Sequence, residues 1–203
     1  MTVPLHGGLT GNLGAGKSTV SRLFATLGIA IYDADRKAKQ LLGLDQVKEA
    51  LRQRFGLLVF KKQQVDHAAL AALVFSNPEH QHWLNALIHP LVKSDYLVWR
   101  SKQHGPYTLL EAALVFESAM DKLLDFVVVV TAPEPLRLRR VQQQHRGWPA
   151  DQFQLRQQYQ WPESALVQRA KYRIVNDECQ ALIPQVLQLH HSLCTSGYKG
   201  GPD

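Results

Sequence analysis

The stretch that decides the fold is Gly11-Asn12-Leu13-Gly14-Ala15-Gly16-Lys17-Ser18, which matches the phosphate-loop pattern G-x-x-x-x-G-K-S at every fixed position. Glycines let the backbone bend until successive N–H groups point at phosphate oxygens, and a following helix adds its positive N-terminal end. In this pattern Lys17 neutralises charge between the β- and γ-phosphates, and Ser18 places a hydroxyl on magnesium. The sequence therefore predicts a P-loop that holds ATP beside a magnesium ion.

The residues around this loop predict a strand that enters it and a helix that leaves it. Residues 3–10 form a short, half-apolar run, which favours a first strand, and a helix is expected to begin near Lys17. Apolar side chains then recur at the spacing of one buried helical face, at Val20, Leu23, Phe24 and Leu27. A second strand at 29–33 would complete a βαβ unit, which disfavours the alternative of a chance glycine turn.

Beyond this unit the sequence predicts a helical block followed by more strands. Residues 36–100 show helical spacing, with one possible short strand at 57–60. Two buried strands are expected at 107–110 and 126–131, the second because Val127–Val130 is an unbroken β-branched run. Such a helical block between strands is a typical place for the second-substrate site of an enzyme.

The last third of the chain predicts a cover, an edge strand and a closing helix. Residues 136–173 are rich in Arg and Gln with little apolar periodicity, which suits a helical cover over an anionic ligand. Residues 174–176 favour a last edge strand, and residues 183–193 favour a closing helix.

Composition limits the class of protein to which the loop belongs. The chain has 203 residues, 45% hydrophobic and 20% charged, which fits one large domain or a core with a small insertion. The formal net charge of +6 favours anionic partners, but the basic residues are spread out and not interleaved with aromatics, so nucleic acid is not expected. The sequence has no leader-like start and no apolar run near the roughly eighteen residues of a membrane helix. A cytoplasmic protein without membrane contact is therefore expected.

Cysteine and histidine spacing predicts neither a disulfide framework nor a transition-metal site. Cys179 and Cys194 lie in a polar region without a zinc pattern, so both are expected to be free thiols. His80-x-His82 and His190-His191 lack carboxylates or cysteines at ligand spacing.

Two aspartates follow the second predicted strand, in Asp33-Ala34-Asp35. Ligands gather at the carboxyl ends of parallel strands, and residues two apart on an extended segment face the same way. One carboxylate would act through the magnesium shell while the other accepts the proton of an attacking hydroxyl. The alternative is that Asp35 caps the helix that starts near Arg36.

Two glutamates follow the strand predicted at 107–110. Glu111 stands at the end of that apolar run, where a carboxylate that binds the magnesium-water shell would lie, although a capping role is the alternative. Glu117 is a weaker candidate.

Arginines concentrate after the strand predicted at 126–131. Guanidinium groups that close on a transferring phosphoryl group would stabilise the charge spread over its oxygens, although a charge run is more often a solvated face. The candidates are Arg137, Arg139, Arg140, Arg146 and Arg156.

Further motifs follow the phosphate loop in order along most of the chain. They are Asp33-Ala34-Asp35, Phe75–Asn77, Trp83–Pro90, Leu114–Glu117, Val127–Val130, Pro133-Glu134, Arg140, Arg156, Gln160, Ala170 and Asn176. With the string 9–42, they resemble the dephospho-CoA kinase family, which phosphorylates the 3′-hydroxyl of dephospho-CoA with ATP in the last step of coenzyme A synthesis. The resemblance implies an α/β P-loop nucleotide kinase fold, in which helices flank a parallel sheet and a helical CoA domain and a lid are added.

The resemblance also implies a domain division and a role for each matched residue. Residues 1–35 and 105–203 would form the kinase core, with a lid at about 136–173, and residues 36–104 the helical acceptor domain. The implied catalytic residues are Lys17, Asp35 and Arg140, and the implied acceptor residues are Asp33, His89 and Glu117. The implied ATP-binding residues are Gly14, Ala15, Gly16, Lys17, Ser18 and Thr19. Magnesium would lie on Ser18 and, through water, on Glu111.

Several positions depart from the family pattern. They are Asn12 for a glycine, Lys39 for an arginine after the Asp-Ala-Asp motif, Ala112 before the Leu114–Glu117 segment, Gln144 for a second lid arginine and Lys171 for an aspartate. Replacement of an arginine that makes a bidentate phosphate contact changes how the phosphate is bound. A kinase of another small nucleotide or nucleoside, or a nucleotide-binding homologue with weakened catalysis, therefore stays open as an alternative.

Overall fold

The structure is a computed structural model that describes residues 4–144 and 150–196. Its strands are β1 Leu5–Thr10, β2 Ala30–Asp33, β3 Phe60–Lys61, β4 Gln64–Val65, β5 Tyr107–Glu111, β6 Phe126–Thr131 and β7 Tyr172–Val175. Its helices are α1 Lys17–Thr26, α2 Ala34–Leu41, α3 Asp45–Phe55, α4 His67–Phe75, α5 Pro78–Arg100, α6 Glu134–Gln144, α7 Ala150–Gln157, α8 Glu163–Arg169 and α9 Leu182–Ser196. Two compact units result, one from Ala34–Val98 and the other from the remainder of the described chain.

The larger unit is built on a parallel sheet of five strands in the order β2-β5-β1-β6-β7. Strands β5 and β6 are buried along their whole length, and the β-branched run at 127–130 fits this buried, two-sided environment. Because β1 lies at the centre, its carboxyl end at Thr10 delivers the following loop to the middle of the sheet edge. Ligands of such sheets bind at this edge.

Helices α1 and α9 pack with the sheet in one hydrophobic core. Fully buried Val20 and Phe24 of α1 join Leu9 of β1 and Val128 of β6, and Leu193 of α9 completes the cluster. The three-and-four spacing predicted around Val20 and Phe24 is the spacing of this buried face. Burial of one such side chain stabilises the fold by roughly 1.5–3 kcal/mol, so the helix that follows the phosphate loop is firmly anchored.

The smaller unit is helical, with the two-stranded antiparallel hairpin β3-β4. Phe55 of α3 makes edge contacts with the rings of His80 and Trp83 of α5, at centroid distances of 5.0 and 5.3 Å. Lys37 of α2 forms a 3.0 Å ion pair with Asp95 of α5. The helices of the smaller unit are therefore held together by aromatic contacts and by an ion pair within the unit.

The predicted strand at 57–60 is wrong in its first three residues. Residues Gly56–Val59 form a 3₁₀ turn, and extended structure begins only at Phe60. Gly56 has φ of 62°, a left-handed conformation that ends α3 and turns the chain before it can extend. Along the described chain, no helix has the length and hydropathy needed to cross a membrane.

Candidate active site

The loop between β1 and α1 has a conformation that only its glycines allow. Gly14 and Gly16 have φ of 80° and 95°, in the left-handed region. A Cβ on Gly14 would lie 2.5 Å from the backbone oxygen of Arg137, and a Cβ on Gly16 would overlap the side-chain amide of Asn176. The chain around these glycines therefore packs directly on the loop, and any larger residue would displace it.

Polar groups of the loop are held by contacts within it and from β7. Lys17 Nζ donates to the backbone oxygen of Gly11 at 2.8 Å, so the ammonium group lies across the mouth of the loop. Asn176, directly after β7, donates from Nδ2 to the backbone oxygen of Ala15 at 2.8 Å. The amide of Ala15 donates to the backbone oxygen of Asn12, which closes a tight turn. The loop is thus held in a tight bend, and a bend of this kind is what lets backbone donors converge on a phosphate.

Ser18 meets the carboxylate of Glu111 at the sheet edge where β2 also ends. Ser18 Oγ donates to Glu111 Oε1 at 2.8 Å, and Glu111 is 9% exposed at the end of β5. Asp33 ends β2 in register with Glu111, so its backbone adjoins the same position. A hydroxyl and a carboxylate oxygen in contact are the kind of ligands that magnesium takes in proteins, and they fit a magnesium ion held beside ATP phosphates.

The arginines predicted as one group have different surroundings. Arg137 is 4% exposed and structural: Nε donates to the backbone oxygen of Ala132 at 3.1 Å, and Nη1 to that of Leu13 at 3.2 Å. Burial lowers the pKa of Arg137, while Glu163 and Glu134 raise it. Arg139 is exposed and Arg146 lies outside the described residues.

Arg140 faces the loop from α6. Its Nη2 donates to the backbone oxygen of Asn176 at 3.1 Å and to Glu178 Oε1 at 3.2 Å. Its Nη1 is buried and has no hydrogen-bond partner among the described residues, and it lies near the site of a Cβ on Gly16. Hydrogen bonds from Arg139 and Arg140 lower the pKa of Glu178. A buried, unsatisfied guanidinium donor beside a phosphate loop is a ready contact for an anionic ligand.

The family model for dephospho-CoA kinase matches residues 5–181. The chain belongs to the dephospho-CoA kinase family. It is 40% identical to the dephospho-CoA kinase of Chlorobaculum tepidum over 95% of this chain and 97% of that one. It is 34% identical to the dephospho-CoA kinase of Porphyromonas gingivalis over 93% and 94% of the two chains. The resemblance read from the motifs is confirmed, and the protein is an enzyme of the kinase class.

Solved structures agree on the fold. A crystal structure from Thermus thermophilus matches with a TM-score of 0.80 and 30% identity, over 97% of this chain and 99% of that one. The dephospho-CoA kinase of Campylobacter jejuni matches with a TM-score of 0.67 and 23% identity, over 94% and 98% of the two chains. The predicted α/β P-loop kinase fold with a parallel sheet is confirmed.

The smaller unit contains Asp35 and His89, to which the resemblance gives a catalytic role and an acceptor-binding role. Asp35 lies exposed in the first turn of α2, two residues beyond the end of β2. His89 lies half-buried in α5, and burial lowers its pKa. An imidazole kept neutral in this way can accept a hydrogen bond at neutral pH.

The family departures fall into two groups in this kinase. Lys39, Gln144 and Lys171 are exposed, whereas Ala112 and Asn12 are buried at 6% and 2% exposure, and Asn12 lies inside the loop. Asn12 Nδ2 donates to the backbone oxygen of Trp161 at 3.0 Å. In the sequence Asn12 stood out only as a departure, and Gln160 only as one of the matched motifs without a role of its own. Gln160 nevertheless contacts the loop at Leu13.

Proposed function

We propose that this kinase transfers the γ-phosphoryl group of ATP to the 3′-hydroxyl of dephospho-CoA, giving coenzyme A and ADP. The observation that carries the proposal is the Ser18–Glu111 contact beside the glycine loop, in a chain of this family. A bent row of backbone donors, a lysine and an adjoining oxygen pair are the parts that phosphoryl transfer requires.

The donor side of the reaction is assigned to the loop and to α6. Backbone N–H groups within 14–19 bind the β- and γ-phosphates, and Lys17 leaves its contact with the Gly11 oxygen to neutralise them. Arg140 turns its free Nη1 donor to the transferring group, where charge spreads over three oxygens. These contacts strengthen as charge develops, which is the condition for catalysis.

Ser18 and Glu111 are the residues that would hold magnesium. The ion supplies charge neutralisation between the β- and γ-phosphates when bound. Ser18 Oγ and Glu111 Oε1 lie 2.8 Å apart, so the hydroxyl would be available to the ion directly and the carboxylate through a water molecule.

The acceptor side is assigned to Asp35, Asp33, His89 and Glu117. The 3′-hydroxyl oxygen of dephospho-CoA forms the new bond to the γ-phosphorus, and Asp35 accepts the proton of that hydroxyl. The bond between the γ-phosphorus and the β–γ bridging oxygen breaks at the same time. ADP leaves with that oxygen. Asp33, His89 and Glu117 orient dephospho-CoA, with the neutral imidazole of His89 available for a hydrogen bond.

A coupled assay with Mg-ATP and dephospho-CoA tests this function. The parent enzyme is expected to form coenzyme A, and Lys17→Ala is expected to lower kcat by about 10²–10³-fold, because a charged donor to the transferring group is lost. Lys102→Ala is the matched control, because Lys102 is exposed and remote in sequence from the loop. In the same assay, Asp35→Asn should lower kcat by about 10²–10⁴-fold, and Asp33→Asn should act mainly on KM.

Two results of this assay would contradict the proposed function. If the folded parent made no coenzyme A, or if Lys17→Ala were as active as Lys102→Ala, the proposal would be abandoned. Comparison of dephospho-CoA with other nucleotides and nucleosides at fixed ATP identifies the acceptor, since the fold alone does not define it. A higher kcat/KM for another acceptor would replace dephospho-CoA in the proposal.

A further inference from the structure

The turn between α7 and α8 holds the phosphate loop through one side chain. Gln160 accepts a hydrogen bond from the Leu13 amide at 2.8 Å through Oε1. Its Nε2 donates to the backbone oxygen of Ala113 at 3.0 Å and reaches that of Gly11 at 3.5 Å. One amide group therefore ties the loop to the chain beyond β5.

The next residue of the turn makes a second tie, through its backbone. Trp161 accepts from Asn12 Nδ2 at 3.0 Å and donates its own amide hydrogen to Glu117 Oε1 at 2.7 Å. Asn12 is 2% exposed, so a lost bond at this position would leave a buried amide without its partner. We call the contacts of Asn12, Leu13, Glu117, Gln160 and Trp161 the loop clamp.

Stacked rings hold the Trp161 side of the clamp. The Trp161 ring stacks on Phe116 with centroids 5.6 Å apart and an interplanar angle of 13°. Arg169 lies over both rings, 5.4 Å from the Phe116 centroid and 5.5 Å from that of Trp161, and forms a 2.9 Å ion pair with Asp121. Because Trp161 is braced in this way, it acts as the fixed support and the loop is the part that is positioned.

The clamp acts on the first half of the loop and leaves the second half for phosphate. Leu13 is held at its amide by Gln160 and at its carbonyl by Arg137. The residues that follow, 14–19, supply the donors assigned to ATP. A loop that is already bent loses less conformational freedom when the ligand binds, and so binds it more tightly.

We propose that Gln160 and Asn12 are positioning residues for ATP, which hold the phosphate loop in its binding shape before the nucleotide arrives. The inference rests on the proposed function in one respect, the binding of the ATP phosphates to residues 14–19. It assigns a specific task to Asn12, the departure from the family pattern that lies inside the loop. It also makes ATP affinity depend on the turn that carries both ties, the side chain of Gln160 to Leu13 and the backbone oxygen of Trp161 to Asn12.

Binding of an ATP analogue with an NH group at the β–γ bridge, measured by calorimetry with magnesium, tests the clamp. Gln160→Met keeps the side-chain length and removes its hydrogen bonds, so the dissociation constant should rise by about tenfold. Gln158→Met is the matched control, because Gln158 is exposed two positions away. Asn12→Ala should raise the constant by about fivefold, and the double variant by less than the product, because both act on one segment.

Kinetics and unfolding separate positioning from a general structural role. If the clamp positions the loop, KM for ATP rises while kcat at saturating ATP stays within about twofold. A merely structural role would lower the thermal midpoint and the active fraction, hence kcat, while the dissociation constant stayed at the parent value. That pattern, or parent-like affinity in both single variants, overturns the inference. If Gln160→Met does not fold, Asn12→Ala decides alone, and a parent that does not bind the analogue counts against the proposed function instead.

Discussion

At the scale of single residues, Ser18 and Glu111 show how much one contact determines. They lie 93 positions apart in sequence, and their side chains meet because β5 runs parallel beside the centre strand. We predict that Ser18→Ala raises the magnesium concentration needed for half-maximal activity by about tenfold, because one oxygen ligand is lost. The measurement is a magnesium titration of initial rate at fixed free ATP.

The same helix provides the control for this experiment. Thr26 Oγ1 donates to the backbone oxygen of Leu23 near the other end of α1, so Thr26→Ala removes a hydroxyl from α1 without touching the site. Its magnesium dependence should equal that of the parent. An unchanged titration for Ser18→Ala would remove Ser18 from the magnesium site.

The candidate donor residues stand out in the sequence because their signal is local. Lys17 and Ser18 follow from an eight-residue pattern, and Glu111 from its place at the end of an apolar run. Asn12 and Gln160 gave no such signal, because the contact of Asn12 with Trp161 spans 149 positions. Spacing along the chain does not encode a tertiary contact of this kind.

At the scale of elements, α6 carries three arginines that composition cannot tell apart. Arg137 is buried and holds both the strand end at Ala132 and the loop at Leu13, whereas Arg139 forms an exposed ion pair with Glu178. We predict that Arg137→Met lowers the free energy of unfolding by about 2–3 kcal/mol, because a buried and a partly buried carbonyl group lose their donor. Arg139→Met should change it by less than about 1 kcal/mol, since exposed ion pairs contribute little.

Urea unfolding at pH 7, followed by circular dichroism, compares the two variants. Equal unfolding midpoints would contradict the assignment of Arg137 as a structural residue. Arg137 and Arg140 are three positions apart on α6 and so face similar directions. Which of them is buried therefore depends on what packs against each side chain. For α6 that partner is the glycine loop itself, where Gly14 approaches the Arg137 backbone.

Strands were predicted more accurately than the helices of the cover. The run at 126–131 coincides with β6, because a strand that is buried along its whole length has room for little but β-branched and aliphatic residues. The region 136–173 gave only a general expectation of helix, because its described helices α6, α7 and α8 are short and rich in Gln and Arg. Their bounds depend on contacts with the core, and periodicity does not reveal them.

At the scale of the whole molecule, a buried histidine makes stability depend on pH. His6 in β1 is 9% exposed, with Nδ1 2.9 Å from Thr108 Oγ1. Burial lowers the pKa of His6, Arg100 lowers it further, and Asp125 opposes both. Below about pH 6.5 the His6 side chain therefore binds a proton in the unfolded chain but not in the folded chain. The free energy of unfolding consequently falls as the pH decreases.

Urea unfolding midpoints at pH 7.5 and 5.5 measure this effect. We predict a lower midpoint at pH 5.5 for the parent and a smaller difference for His6→Asn, whose amide keeps a hydrogen bond with Thr108. His89, whose pKa burial also lowers, sustains the remaining difference. The exposed His191→Asn variant should behave as the parent does. An equal difference in parent and His6→Asn would exclude His6 as a source.

The central place of β1 also sets the order in which the molecule can assemble during synthesis. Its neighbours in the sheet are β5 and β6, and His6 meets Thr108 across 102 positions of sequence. At about 5–20 residues per second, the ribosome adds that length in roughly 5–20 s, during which the strand has neither partner. The phosphate loop, although encoded early, thus acquires its shape late, and a nascent chain can bind ATP only after most of the sheet has been translated.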